Sequence, residues 1–245
     1  MKPFLVRGVL AGVCGALASV GMLLALGERS IREAISLEEA TSGGGGDDAM
    51  FTRTTQVVGG SIGVLLYGVF LGLIFGVVFA AVRHRLGPVP DWKRSLRLAG
   101  LGFLSLALVP FLKYPPNPPA VGDPDTVNQR TISYLCLLGL ALVVTIAARR
   151  LWGVFQARGW SEHVALPAVV AAWVLAIGVA FVVMPANPDD IDVSAQLVWR
   201  FRLASLGGQA ALWAVIGVVF GWLGIRHSGV RVFARAPRDT ASSGD

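Results

Sequence analysis

Six apolar runs without a single charged residue dominate the chain: Gly8 to Gly27, Val57 to Val82, Leu98 to Leu112, Ile132 to Ala148, Val164 to Met184 and Leu203 to Ile225. Roughly 20 such residues wound as a helix cross the hydrocarbon of a bilayer, whereas lipid cannot satisfy the backbone groups of an open sheet. The runs predict an all-α membrane protein of six transmembrane helices, arranged as three helical hairpins. Charged residues make up only 15% of the 245, against roughly 25% in an ordinary globular chain. No separate soluble domain is expected: 1–226 is read as one integral membrane domain and 227–245 as a disordered basic tail. The third and fourth runs are the shortest, so Arg97 and Lys113 beside them are expected to snorkel to the interfaces. Lys2 and Arg7 precede the first run as in a signal peptide, but its length and Val13 ahead of Cys14 argue for a retained helix.

Lys and Arg close to a span resist translocation, so their distribution predicts orientation. One face collects Lys2, Arg7, Arg83, Arg85, Lys93, Arg94, Arg97, Arg149, Arg150, Arg158, Arg226, Arg231, Arg235 and Arg238. The other holds half as many, Arg29, Arg32, Arg53, Lys113, Arg130, Arg200 and Arg202, together with 11 of the 15 acidic residues. Both termini are therefore placed in the cytoplasm, beneath a net acidic outer face. The formal charge of +6 then reflects bilayer anchoring, and no nucleic-acid partner is expected.

Between the first two runs, in the outer loop 28–56, Ser30 and Glu33 have capping-box spacing, which predicts a short amphipathic surface helix. Thr126 and Gln129 repeat that spacing before the fourth run. Gly43 to Asp48 read as a flexible tip. Pro110 to Pro124 carries six prolines and is expected to be extended, since proline lacks a donor and restricts its predecessor. A repeat links two outer connections: Pro115, Asn117, Pro118 and Arg130 recur as Pro185, Asn187, Pro188 and Arg200, every offset being 70. The second and third hairpins thus read as a duplication about an axis along the membrane normal, which would gather Asn117, Asp123, Asp125, Asn187 and Asp189 around one outer vestibule.

Those five residues are the candidate metal ligands, since carboxylates and amide carbonyls suit hard cations and one-signed loops concentrate them. The competing reading is solvated loops that merely obey topology. Lys113, Arg130, Arg200 and Arg202 at the outer mouths are candidates for gating or for salt bridges to Asp123, Asp125 or Asp192. Gly68, Gly72 and Gly76, like Gly217 and Gly221, have the spacing of close helix contact, within the bundle or with a further copy or partner. His84, His163 and His227 all lie at cytoplasmic ends, Cys14 and Cys136 within spans, and no metal spacing, phosphate loop or nucleophile elbow occurs. An enzyme is not expected, nor a permanently bound cofactor.

The stretch Val109 to Thr126, with Arg130 and Thr131, together with Leu197-Val198-Trp199-Arg200-Phe201-Arg202-Leu203-Ala204-Ser205-Leu206-Gly207, Phe4 to Gly8 and Ile35 to Glu39, resembles the CbtA family of probable cobalt transporter subunits over nearly the whole chain. The resemblance implies an inner-membrane component of cobalt uptake linked to cobalamin biosynthesis, with cobalt as cargo and a small single-span, histidine-bearing subunit, CbtB, as partner. The expected function is the membrane subunit of a divalent-metal uptake transporter. The alternative is a non-transporting scaffold that packs on partners through its glycine faces, favoured by the few polar residues in the spans, Ser133, Thr145 and Gln209 among them.

Overall fold

The computed structural model describes residues 1–42, 52–119, 121, 124–187 and 193–233. Regular structure among them is entirely helical, and six helices are long and apolar enough to cross a membrane. The first consists of α1 (Lys2–Met22), a π turn at Leu23–Gly27 and α2 (Glu28–Ser42), joined end to end. The second is α3 (Arg53–Val82), capped by the Thr52 hydroxyl, which accepts from Thr55 N–H at 3.3 Å. The third comprises α4 (Asp91–Phe103), a second π turn at Leu104–Leu108 and α5 (Val109–Lys113). Then follow α6 (Val127–Ala157), α7 (Glu162–Val183) and α8 (Ala195–Phe233).

Three local expectations are corrected. Ser30 does not begin a separate surface helix: the π turn carries α1 straight into α2, and Ser30 is buried within it. Capping-box spacing is a local signal, and it is overridden where the preceding residues are themselves strong helix formers. Pro110 lies inside the third span, which stays helical to Lys113 before Tyr114–Pro119 leave regular structure. The second π turn makes this possible: Val109 N–H bonds Leu104 O, a five-residue step, immediately before the residue that has no N–H to offer. Thr126 does precede α6, but its side chain makes no cap bond. Gly43 to Asp48 lie outside the described residues, and α8 runs through residue 226 to Phe233.

Glycine sets the closest contacts. On α1, Gly8, Gly12 and Ala16 cross Gly68, Gly72 and Gly76 of α3 so tightly that a methyl at Gly72 would stand 2.8 Å from Gly12 Cα. Gly217 and Gly221 of α8 lie against Ala99 and Trp92 of α4, where the Ser95 hydroxyl donates to Gly217 O at 2.7 Å. Such contacts bring backbones together where burial of apolar surface gives no drive between helices. One apolar cluster thereby joins α1, α3, α4 and α8 through Ala11, Leu71, Phe75, Phe79, Ala99, Trp213, Ile216 and Phe220. A separate cluster joins α5, α6 and α7 through Val109, Leu137, Ala141, Ile177 and Ala180. Only the third span belongs to both, and its π turn lies at the changeover.

At the end of the first cluster nearest the N-terminus, Arg7 is only 6% exposed. Its Nε and Nη2 donate to Phe220 O at 3.2 and 2.7 Å, and its guanidinium lies 4.2 Å from the Phe220 ring centroid. Gly224 leaves the room it occupies: a methyl there would meet Arg7 Cζ at 2.9 Å.

Candidate functional site

The two Pro-x-Asn segments end the third and fifth spans at the same end of the bundle, and side chains tie them together. Lys113, the last residue of α5, donates to Phe181 O at 2.9 Å, and Tyr114 Oη donates to Pro185 O at 2.6 Å. Phe181 lies in the last turn of α7, and the residue four positions on is Pro185, which has no N–H, so its carbonyl is open to a cation. Arg202 reaches across from α8: Nε donates to Pro116 O at 3.3 Å and Nη2 to Asn117 Oδ1 at 2.9 Å. Proline makes this segment a good acceptor surface, because its carbonyls are not drawn into a helix.

Of the five candidate ligands, Asn117 has its carbonyl oxygen engaged by Arg202. Asn187 directly follows the Pro185–Ala186 stretch that Tyr114 holds. Asp125 is exposed in the 3-10 turn Pro124–Thr126 ahead of α6. Asp123 and Asp189 lie outside the described residues, as does Asp192. Among the described residues no group of three His, Cys, Asp or Glu is placed to hold a metal ion. Arg130 is half-buried on α6, and Arg200 is exposed on α8. The hairpins differ in packing: α6 contacts the π turn and α5, whereas α7 packs on α6 and not appreciably on α8.

Directly beneath these segments is a cavity of about 560 Å³ bordered by Tyr67, Tyr134, Arg130, Ser205, Gln209 and Phe111. Tyr67 of α3 and Gln209 of α8 both face it. A second cavity, about 600 Å³, lies toward the opposite end, bordered by Arg97, Gly100, Leu104, Arg149, Trp152 and Trp173. Both have arginine in their walls and neither has a carboxylate. Arg97 and Arg149 are held by main-chain carbonyls, Arg97 Nη1 by Leu86 O at 2.7 Å and Arg149 Nη2 by Arg85 O. Between the cavities the Ser105 and Thr145 hydroxyls meet at 2.9 Å, and Trp173 Nε1 donates to Thr145 Oγ1 at 3.0 Å. Sequence reasoning named Thr145 and Gln209 as intramembrane polar groups, but missed Tyr67, Tyr134 and Arg149. The available signal was a tyrosine inside each of two otherwise apolar runs.

Residues 1–224 match the model of a protein family described as probable cobalt transporter subunit (CbtA). No curated protein and no solved structure matches the chain.

Proposed function

The chain belongs to the CbtA family, and from that premise we propose that it is the membrane subunit of a cobalt uptake system serving cobalamin synthesis, with its acidic loops on the outer face and both termini in the cytoplasm. The family match over 1–224 carries this reading. The acidic outer loops support it, since carboxylates raise the local concentration of a divalent cation and suit it as ligands. On this reading Asn117, Asp123, Asp125, Asn187 and Asp189 surround a vestibule, and the Pro115 and Pro185 segments are copies of one ancestral turn. Cobalt also favours imidazole, and the described residues supply no His cluster. We therefore assign imidazole capture to a small histidine-bearing partner subunit.

The arginine-bearing, carboxylate-free cavity walls favour a second reading, a scaffold that carries no cargo, because a bare divalent cation gains nothing from such walls. Uptake per molecule separates the two. In cells depleted of other cobalt importers, the Asp123→Asn, Asp125→Asn double variant should lose most ⁵⁷Co uptake per molecule of membrane-inserted protein, with Glu38→Gln unchanged. Asn keeps the shape but removes the charge that a hard-cation site requires. Normal uptake per molecule in the double variant would leave these carboxylates structural; no uptake by any form of the chain with its partner would favour the scaffold.

A further inference from the structure

The bundle is two bodies meeting across two cavities. The first body is α1, α3, α4 and α8; the second is α5, α6 and α7. The outer cavity has walls from both, Tyr67, Ser205 and Gln209 facing Phe111, Arg130 and Tyr134. So has the inner one, with Arg97, Gly100 and Leu101 facing Arg149, Trp152 and Trp173. The third span passes from one body to the other at its π turn, whose Leu106 and Ala107 border the outer cavity while Leu104 borders the inner one. That turn is thus both the partition and one of two covalent joints, the other being the α7–α8 connection.

The joint is built to bend. Val109 N–H is committed to Leu104 O and residue 110 is proline, so Ser105 O has neither a four-residue nor a five-residue helical donor. Beside it, Trp213 is packed onto Gly102, where a methyl would overlap its ring at Cζ3, and Trp213 Nε1 is buried with no hydrogen-bond partner among the described residues. Unsatisfied groups away from water are costly, and helices are interrupted inside a membrane where they serve a function. Three ties cross between the bodies: Arg202 to Pro116 O and Asn117 above the outer cavity, Ser105 to Thr145 at the joint, and Arg149 to Arg85 O below the inner cavity.

We propose that the α5-α6-α7 body rocks on the rest about the Leu104–Leu108 π turn, opening the two cavities in alternation, with Arg202–Asn117 as the outer latch and Arg149–Arg85 as the inner latch. The two cavities are then the two halves of one cargo path, and both latches are engaged in this form. This rests on the transport reading, but its test needs no cargo. Moving one rigid body about a mid-membrane joint closes one side as it opens the other. Breaking a single latch must therefore shift accessibility in opposite directions on the two sides.

With Cys14 and Cys136 replaced by alanine, single reporters Ser205→Cys in the outer cavity and Gly100→Cys in the inner one are labelled by a membrane-impermeant maleimide in vesicles of either orientation. Ser205→Cys is nearly isosteric, and a side chain at Gly100 meets nothing within 4 Å. Arg202→Gln should speed labelling at Ser205→Cys and slow it at Gly100→Cys. Arg149→Gln should do the reverse. The reporter beside the broken latch should change by about tenfold, the scale set by one hydrogen bond to a charged group, and the remote reporter should change in the opposite direction by a smaller factor. The reporter remote from the mutated latch is decisive, since local loosening cannot protect it. Both reporters rising together, or labelling only by a lipid-soluble maleimide, would overturn the proposal. Opposed shifts without cobalt uptake would leave the motion standing and sink the transport reading.

Discussion

Replacing Gly72 with alanine isolates the energy of the tightest crossing in the bundle. The added methyl would lie 2.8 Å from Gly12 Cα and 2.9 Å from Gly12 N, and closer still to Gly8 O. All three are backbone atoms of α1, so no rotamer change relieves the clash and the helices must separate. Overpacking of this kind costs about 1–3 kcal/mol. Alanine also has a better helix propensity than glycine, by about 1 kcal/mol, which would mask part of the cost in a single measurement. Gly139→Ala removes that ambiguity: the same chemical change occurs inside α6, with nothing within 4 Å of the new methyl. The propensity term cancels between the two, and Gly72→Ala should be the less stable by about 1–3 kcal/mol. Reversible unfolding in mixed micelles, followed by tryptophan fluorescence, measures the difference. Equal stabilities would refute close α1–α3 contact as the reason for these glycines.

Two further outcomes follow from the same geometry. Arg7→Lys should destabilise the protein by about 2 kcal/mol in the same assay, because an ammonium cannot reproduce both the paired donation to Phe220 O and the stacked guanidinium; unchanged stability would show that charge alone matters there. A reporter active only in the cytoplasm should be active when fused after Ser243 and silent when inserted at Gly44, as the basic residues on the two faces require; activity at Gly44 would invert the topology.

The six spans were legible in the sequence because bilayer thickness imposes one length and one chemistry on every crossing, and the charge-free runs meet both. Each lies within one of the six membrane-length helices, except that the fifth run extends one residue, Met184, beyond its helix. The partition of those helices was not legible. All six runs are apolar on every side, so no amphipathic stripe states which neighbour a helix prefers, and membership of the two clusters emerges only from packing. Pro110 was read as a helix breaker on its local properties. Its effect is instead a change of hydrogen-bond step one turn earlier, which keeps the span helical and places the interruption at Leu104–Leu108.

The cations of the outer mouth were read with carboxylates in mind, since opposite side-chain charges are what a sequence displays. In the fold, five cations that pair with no carboxylate among the described residues use the main chain. Arg7 takes Phe220 O, Arg97 takes Leu86 O, Lys113 takes Phe181 O, Arg149 takes Arg85 O and Arg202 takes Pro116 O. Four of these carbonyls belong to helix ends or to proline-broken segments, where the helix itself supplies no donor. The chain thereby places positive charge near and inside the membrane without spending acidic residues there, which a low-dielectric setting would make expensive to bury even in pairs. None of those five contacts uses an acidic side chain. If the loops attract a divalent cation, neutralising them should weaken uptake without loosening the five contacts, which is why uptake per inserted molecule, rather than abundance, is the quantity that judges Asp123 and Asp125.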